Sequence, residues 1–211
     1  MDVMDLVKVI PNVLSEEECK TLINEFEKRK INAEKEGSVD TQGNYLQSSF
    51  KVVEIKDASP HYNFVVEKIN YCLTGWLEYL DFFDSFHIPI LRNELRYPHK
   101  IRLLRYEVGE SIHDHIDWIP FTNASVTLNL NSDYEGGEFQ FFHKKKIIKL
   151  KQGDGLVFPA DPFWVHGVLP VTKGKRYSMN SFIRSYPEEK VMEILHANNY
   201  FSSNRERKLN P

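Results

Sequence analysis

Apolar residues recur with helical spacing in the first part of the chain and alternate in short runs from Ile101 onward. Cys19, Leu22, Ile23 and Phe26 stand at i, i+3, i+4 and i+7, which predicts one apolar face of a helix from Glu16 to about Lys30. Ser15 and Glu18 form a capping box at its start, because each side chain can satisfy a free backbone N–H. Val65, Ile69, Cys72, Leu73, Trp76, Leu77 and Leu80 mark the buried stripe of a second helix that opens near Pro60. Ahead of both, Val7 to Ile10 reads as a short strand ended by Pro11. Residues 31–58 are polar and irregular and read as a long loop with one short strand at 50–55. A lid over a binding site and a plain solvated loop both fit that stretch. Residues 81–98 read as an aromatic-rich connector.

Strand-like segments follow at 101–108, 124–131, 137–142, 146–150, 155–158, 164–170 and 176–184, separated by turn residues such as Glu135-Gly136-Gly137. A short helix is expected from Pro187 to about Ala197, and a polar, frayed tail over 202–211. The layout predicts an α+β fold: a double-sheet, jelly-roll core with N-terminal helices packed on one sheet. We divide the single domain 1–211 into a helical support and lid region (1–100), a jelly-roll core (101–186) and a C-terminal helix and tail (187–211).

Composition narrows the function classes. With 211 residues and 41% hydrophobic content, the chain can bury a core without disulfides or structural metal. Two cysteines, Cys19 and Cys72, make neither a cysteine-based zinc site nor a disulfide scaffold, and both read as small core residues. No apolar run approaches the roughly 18 residues of a membrane helix. The acidic start shows no secretory signal, so no membrane role and a cytoplasmic location are expected. A formal net charge of −3 disfavours a broad basic face for nucleic acid. Lys144-Lys145-Lys146 reads as a solvated hairpin turn.

Two predicted strands carry polar faces. Ser125, Thr127, Asn129 and Asn131 share one side of the first, and Arg176, Ser178 and Asn180 share one side of the second. Such faces can meet bulk water or line a barrel mouth. The segment His113-Asp114-His115-Ile116-Asp117 favours the second reading, as the densest group of metal-capable side chains. His115 and Asp117 are two apart, so an extended backbone points both the same way. His166 is the candidate third ligand, with His113 as a competitor for His115. Two imidazoles and one carboxylate on one face of an octahedron suit non-haem Fe(II). Arg176, ten residues after His166, could hold a carboxylate bidentately. A zinc hydrolase could use the same three ligands, but Arg176 would then be unexplained and no general base is evident.

Taken together, Tyr106-x-x-Gly109, His115-x-Asp117, Thr127-x-Asn129-Leu130-Asn131, Gly136-Gly137-Glu138-x-x-Phe141, Gly153-Asp154 and His166 through Arg176 resemble the Fe(II)/2-oxoglutarate dioxygenases, within them the prolyl 4-hydroxylase-like group. Val13 to Cys19 also resembles the entry to that family's first helix. The resemblance implies Fe(II) held by His115, Asp117 and His166, and 2-oxoglutarate held by Arg176. It places Tyr106, Thr127 and Asn129 in the cosubstrate pocket, with Ser178 beside Arg176. It implies hydroxylation with O₂ and 2-oxoglutarate, giving succinate and CO₂, with ascorbate as a candidate reductant. Peptidyl proline is the first substrate reading. A small molecule or free amino acid, a nucleic acid and a non-catalytic metal-binding barrel are the alternatives. Three departures stand out: Arg176 replaces a common lysine, Asn129 replaces a familiar tyrosine, and 31–58 lacks the arginine expected of a substrate loop. Trp118, Tyr134 and Trp164 are candidates for the substrate side.

Overall fold

The computed structural model describes residues 2–39, 44–117 and 120–198. The capping box is realised: Ser15 Oγ accepts from the Glu18 N–H at 3.2 Å, and the Glu18 carboxylate accepts from the Ser15 N–H at 2.8 Å. Helix α1 (Glu16–Arg29) therefore begins where its donors are satisfied. Strand β1 (Lys8–Ile10) precedes it, and β2 (Glu34–Val39), β3 (Tyr45–Glu54), α2 (Tyr62–Asp81) and α3 (Ile88–Glu94) follow. The β-rich body comprises β4 (Tyr97–Tyr106), β5 (Ile112–His115), β6 (Thr122–Asn129), β7 (Glu135–Gly136), β8 (Phe139–Phe141) and β9 (Lys146–Ile148). It continues with β10 (Gly155–Pro159), β11 (His166–Val168), β12 (Val171–Lys173) and β13 (Arg176–Arg184), and α4 (Glu188–Ala197) closes the described chain.

The strands form a jelly roll. A seven-stranded sheet runs β1-β10-β6-β13-β4-β3-β2, a four-stranded sheet runs β5-β11-β8-β9, and β12 pairs with β7. The strand pairings among the described residues are antiparallel, so residues directly opposite share a face. On the outer face of the large sheet, Leu103, Val126, Leu128, Val157, Met179 and Ile183 join one cluster with the stripes of α1 and α2. Each fully buried side chain of this kind contributes about 1.5–3 kcal/mol. Between the two sheets lies a second cluster with Phe139, Phe141, Leu156, Phe158, Trp164 and Val168. Other inward positions of the large sheet form a small apolar cluster with Phe50, Val52, Leu104 and Tyr106, and a row of polar side chains that carries the site described below.

The N-terminal layer is tied to the sheet at several points. Trp76 Nε1 donates to the Leu6 carbonyl at 2.9 Å, and the Leu14 N–H donates to the Gly153 carbonyl at 3.1 Å. Gly153 has φ +83°, and a Cβ there would stand 2.2 Å from the Leu14 carbonyl oxygen, so only glycine permits this approach.

Two expectations are corrected. Residues 31–58 are not mainly loop: β2 and β3 form a hairpin, and β3 adds to the large sheet through Lys51↔Arg105 and Val53↔Leu103. Strand β2 is the sheet's edge strand, where the exposed charges of Glu34 and Lys35 protect against further pairing, so the segment lacks apolar alternation. Residues 81–98 contain α3, whose first turn is capped by the His87 ring accepting from the Ile90 N–H, and β4 starts at Tyr97 rather than Ile101. The 202–211 tail lies outside the described residues. No described helix is long and apolar enough to cross a membrane.

One polar cluster fastens α1 to the sheet. Tyr177 Oη donates to Glu27 Oε1 at 2.8 Å, and Arg105 donates to the same oxygen at 3.1 Å while also meeting Glu107 at 3.1 Å. The Phe26 ring lies edge-on to Tyr177 and under the Arg105 guanidinium. Burial raises the Glu27 carboxyl, but hydrogen bonds from Lys30, Tyr177 and Arg105 outweigh it and hold the group down to about 2. A folded value below the ordinary one of 4.5 gives stability that is present above pH 4.5 and is lost as pH falls toward 2. Glu27→Gln is expected to lower stability at pH 7 by about 1.5–3 kcal/mol and to flatten the acid limb between those values. Urea melts of both chains across that range check it, and parallel pH curves would remove Glu27 from this role.

Candidate metal centre

The site begins with a strand register. His115 on β5 lies directly opposite His166 on β11, and their rings are 4.4 Å apart. His113 is one step further back on β5, with its ring 6.0 Å from that of His115, and it is outside the cluster. Asp114 points to the other side, where Gln140 donates to it at 2.7 Å and His143 Nδ1 lies 2.6 Å away. Alternation along β5 thus turns Asp114 away to hydrogen-bond Gln140 and His143, and the register with β11 sets His115, not His113, against His166.

Asp117 follows β5 and enters the same space. Its two oxygens lie 3.4 Å from His115 Nε2 and 3.4 Å from His166 Nε2. Candidate ligand atoms of the three residues all lie within 4.8 Å of one another. Ligands at about 2.1 Å from a metal and at right angles to each other would be about 3 Å apart, so the spacing suits one small ion. Each imidazole is oriented from behind: His115 Nδ1 meets the His113 carbonyl at 2.9 Å, and His166 Nδ1 meets the Trp164 carbonyl at 3.0 Å. A carbonyl only accepts, so Nδ1 carries the proton and Nε2 keeps its lone pair for the centre. Ser125 Oγ, from the polar face of β6, donates to Asp117 Oδ2 and fixes the carboxylate.

The electrostatics agree. Burial would raise the Asp117 carboxyl, but attraction and hydrogen bonding to His166 and His115 outweigh it and hold the group well below the usual carboxylate range. Burial would lower His166, and Asp117 outweighs that and raises it. Both shifts express one preference of the site, for a positive charge between the carboxylate and the imidazoles. Phe141 and Phe158 flank the His166 ring, with centroids 5.9 and 4.7 Å away, and make one side of the centre apolar.

The rest of the polar face lies along the inner side of the large sheet. Arg176 is 1% exposed, stands opposite Tyr106, and holds its guanidinium 5.0 Å from that ring and 5.4 Å from the Phe139 ring. Its NH1 donates to Ser178 Oγ at 3.2 Å, its Nε is buried without a partner, and no described carboxylate pairs with it. Phe50 of β3 stacks on Tyr106 at 4.7 Å. Thr127 is buried opposite Asn180, between Asn129 and Ser125 on the polar face of β6. Asn129 is fully committed: its amide donates to the carbonyl of Asn131 and lies near those of Leu150 and Lys151, and its oxygen accepts from Tyr134 Oη at 3.0 Å.

Tyr134 and Trp164, read from sequence as substrate-side candidates, are both buried, Tyr134 beside Asn129 and Trp164 against Phe142. Trp118 lies outside the described residues. Sequence reasoning missed Phe50 and the tie of Ser125 to Asp117. The polar alternation of β6 carried the second signal, whereas Phe50 becomes visible only once β3 is known to pair with β4.

Residues 101–184 match the sequence model of a family described as 2OG-Fe(II) oxygenase superfamily. A PKHD-type hydroxylase of Synechococcus sp. (strain CC9902) is 37% identical over 109 residues, which cover 46% of this chain and 48% of that relative. The chain thus spans about half the length of that relative. A prolyl-4-hydroxylase structure from Pseudomonas putida superposes with a TM-score of 0.65 at 15% identity, covering 88% of this chain and 97% of the other. A prolyl hydroxylase from Trichoplax adhaerens, in complex with a hypoxia inducible factor peptide fragment, gives 0.64 at 15% identity, covering 90% and 87%. Likeness at these identities establishes the jelly-roll fold.

Titration of the purified chain with Fe(II) under argon is expected to fill one site. His115→Ala and His166→Ala should each abolish it, and Ser125→Ala should weaken it by about 10–100-fold. Wild-type affinity in both histidine variants would exclude this cluster as the centre.

Proposed function

We propose that this chain, whose residues 101–184 carry a 2OG-Fe(II) oxygenase domain, hydroxylates an organic substrate with O₂ and 2-oxoglutarate, with peptidyl proline as the first substrate reading. The observation that carries this reading is the buried Arg176 guanidinium, without a carboxylate partner among the described residues, on the inner face of the large sheet, which faces the sheet that carries His115 and His166. A buried cation of this kind is costly unless an anion completes it. The distal carboxylate of 2-oxoglutarate supplies that anion, and the planar fork of arginine suits it bidentately. Bound Fe(II) with 2-oxoglutarate supplies the oxidising chemistry, in which the cosubstrate becomes succinate and CO₂ and one oxygen enters a substrate C–H bond.

The protein's own part is to hold and to exclude. His115, Asp117 and His166 are assigned to the metal, with Ser125 and two backbone carbonyls fixing their orientation. Arg176 is assigned to the cosubstrate, Ser178 anchors one of its nitrogens, and Tyr106 and Phe139 give it flat walls. Thr127 is assigned to the floor between the two ends of the cosubstrate, and Asn129 to bracing that floor through its bonds to the Asn131 carbonyl and Tyr134. The apolar ring of Phe139, Phe141, Phe158 and Trp164 keeps water from the centre. Ascorbate as reductant, and 1–211 as one functional domain with 1–100 as support, belong to the same reading. The peptide held by the Trichoplax adhaerens enzyme is the support for a peptide substrate here.

Gly137 shapes the Arg176 pocket. It has φ +70°, and a Cβ there would stand 2.8 Å from Arg176 Cδ and 3.3 Å from the Tyr134 ring. Gly137→Ala therefore has to displace the arginine, and it is expected to weaken 2-oxoglutarate at least about tenfold while Fe(II) affinity holds. Equal 2-oxoglutarate affinity in Gly137→Ala would remove that role.

The reading as a whole is tested by binding and by product. Fe(II) with 2-oxoglutarate under argon should give a visible charge-transfer band, and air should then yield succinate. Arg176→Ala should weaken 2-oxoglutarate by at least about 30-fold and leave Fe(II) affinity within a factor of a few. Absence of succinate with intact metal binding would favour a non-catalytic barrel.

A further inference from the structure

Strand β5 carries one residue more than its partner over the stretch that ends in His115. His115 lies opposite His166 and Ile112 lies opposite Val168, so three steps along β5 match two along β11. Such a bulge interrupts the alternation of faces. Ile112 and Val168 both pack in the apolar cluster between the sheets, which marks the inner face. Strict alternation from Ile112 would bring Asp114, not His115, to that face opposite His166. The extra residue re-aims the strand, so that His115 enters the centre and Asp114 turns away.

Gly167, opposite the bulge, leaves room for a bond that holds it. Asp114 Oδ1 accepts from Gln140 Nε2 at 2.7 Å, which links β5 to β8 across the intervening β11. Gln140 is the register partner of Gly167. A Cβ on Gly167 would stand 3.0 Å from Asp114 Oδ1, 3.2 Å from Gln140 Nε2 and 2.8 Å from the Ile112 carbonyl oxygen. The bond therefore runs over bare backbone, next to His166. Gln140 is buried and its Oε1 has no partner among the described residues, so the Nε2 bond is what offsets the cost of burying that amide. A second arm comes from the β8–β9 turn, where His143 Nδ1 lies 2.6 Å from Asp114 Oδ2. Phe142, His143 and Lys144 take φ of +49°, +54° and +68°, a run that costs free energy in any residue with a Cβ. In that conformation the turn sets His143 against Asp114.

Resting on the metal centre of the function proposed above, we infer that Asp114 and Gln140 are positioning residues. Bonded across Gly167, they lock the β5 bulge, keep His115 opposite His166 and keep Asp114 out of the centre. Neither belongs to the ligand cluster, and both act through the strand register.

The probe is Co(II), whose visible bands report the number and arrangement of ligands as well as affinity. Gln140→Ala removes one side of the bond, and Gly167→Ala forces the two sides apart. Each should weaken Co(II) at least about tenfold and change the band pattern. Asp114→Ala should do the same, whereas Asp114→Asn, which keeps an oxygen for Gln140, should stay within about threefold of wild type. His143→Ala, which removes the exposed arm alone, should cost less than Gln140→Ala. Trp76→Phe is the control for a purely structural loss: without its bond to the Leu6 carbonyl, urea melts should show lower stability while Co(II) affinity and bands hold. Wild-type affinity and bands in both Gln140→Ala and Gly167→Ala overturn the inference, as does a loss of the same size in Trp76→Phe. Co(II) binding that survives His115→Ala and His166→Ala overturns the metal assignment and this inference together. A wild-type chain that shows these variant effects but yields no succinate from Fe(II), O₂ and 2-oxoglutarate supports the inference and overturns the oxygenase reading alone.

Discussion

Everything in this structure depends on the antiparallel register of β4, β13 and β6. Residues two apart on a strand share a face, and residues opposite on neighbouring strands share it too. One set, Leu103, Met179, Ile183, Val126 and Leu128, meets the helices. The other set, Arg102, Tyr106, Arg176, Ser178, Asn180, Ser125 and Thr127, faces the second sheet. A slip of one residue would bury the guanidinium of Arg176 against α1 and α2 and send Met179 into the site. The same three strands therefore make the core and the chemistry at once, and neither can shift without the other.

The helical layer stabilises that register from outside. Glu27 accepts from both Arg105 on β4 and Tyr177 on β13, so a single carboxylate on α1 bridges the two strands that carry Arg102, Tyr106 and Arg176 on their opposite face. The centre itself is held by short-range devices: two backbone carbonyls behind two imidazoles, and one serine hydroxyl on a carboxylate. This division places long-range packing under the sheet and short hydrogen bonds around the reacting end.

Much of this was legible in the chain. The Ser15–Glu18 box and the α2 stripe marked two helices because local spacing alone encodes them. The polar alternation of Ser125-Val126-Thr127 stood out because a buried polar face violates the usual pattern. The β2–β3 hairpin was not legible, since β2 is an edge strand with one neighbour and its sequence shows no apolar alternation. Helix α3 was hidden by its length, seven residues, and by a cap made by a histidine.

The sequence by itself determined which side chains could take part: two histidines and an aspartate with the right chemistry, an arginine, and strands whose polar residues recur every second position. Tertiary structure decided which of them meet. Only the pairing of β5 with β11 prefers His115 to His113 and turns Asp114 away toward Gln140 and His143. Only the pairing of β3 with β4 sets Phe50 on Tyr106, and only the bond between β4 and β13 makes Arg102 and Asn180 one unit. The physical reason is range. Periodicity reports the face of a residue from its immediate neighbours, whereas a site is a distance between strands that lie tens of residues apart in the chain.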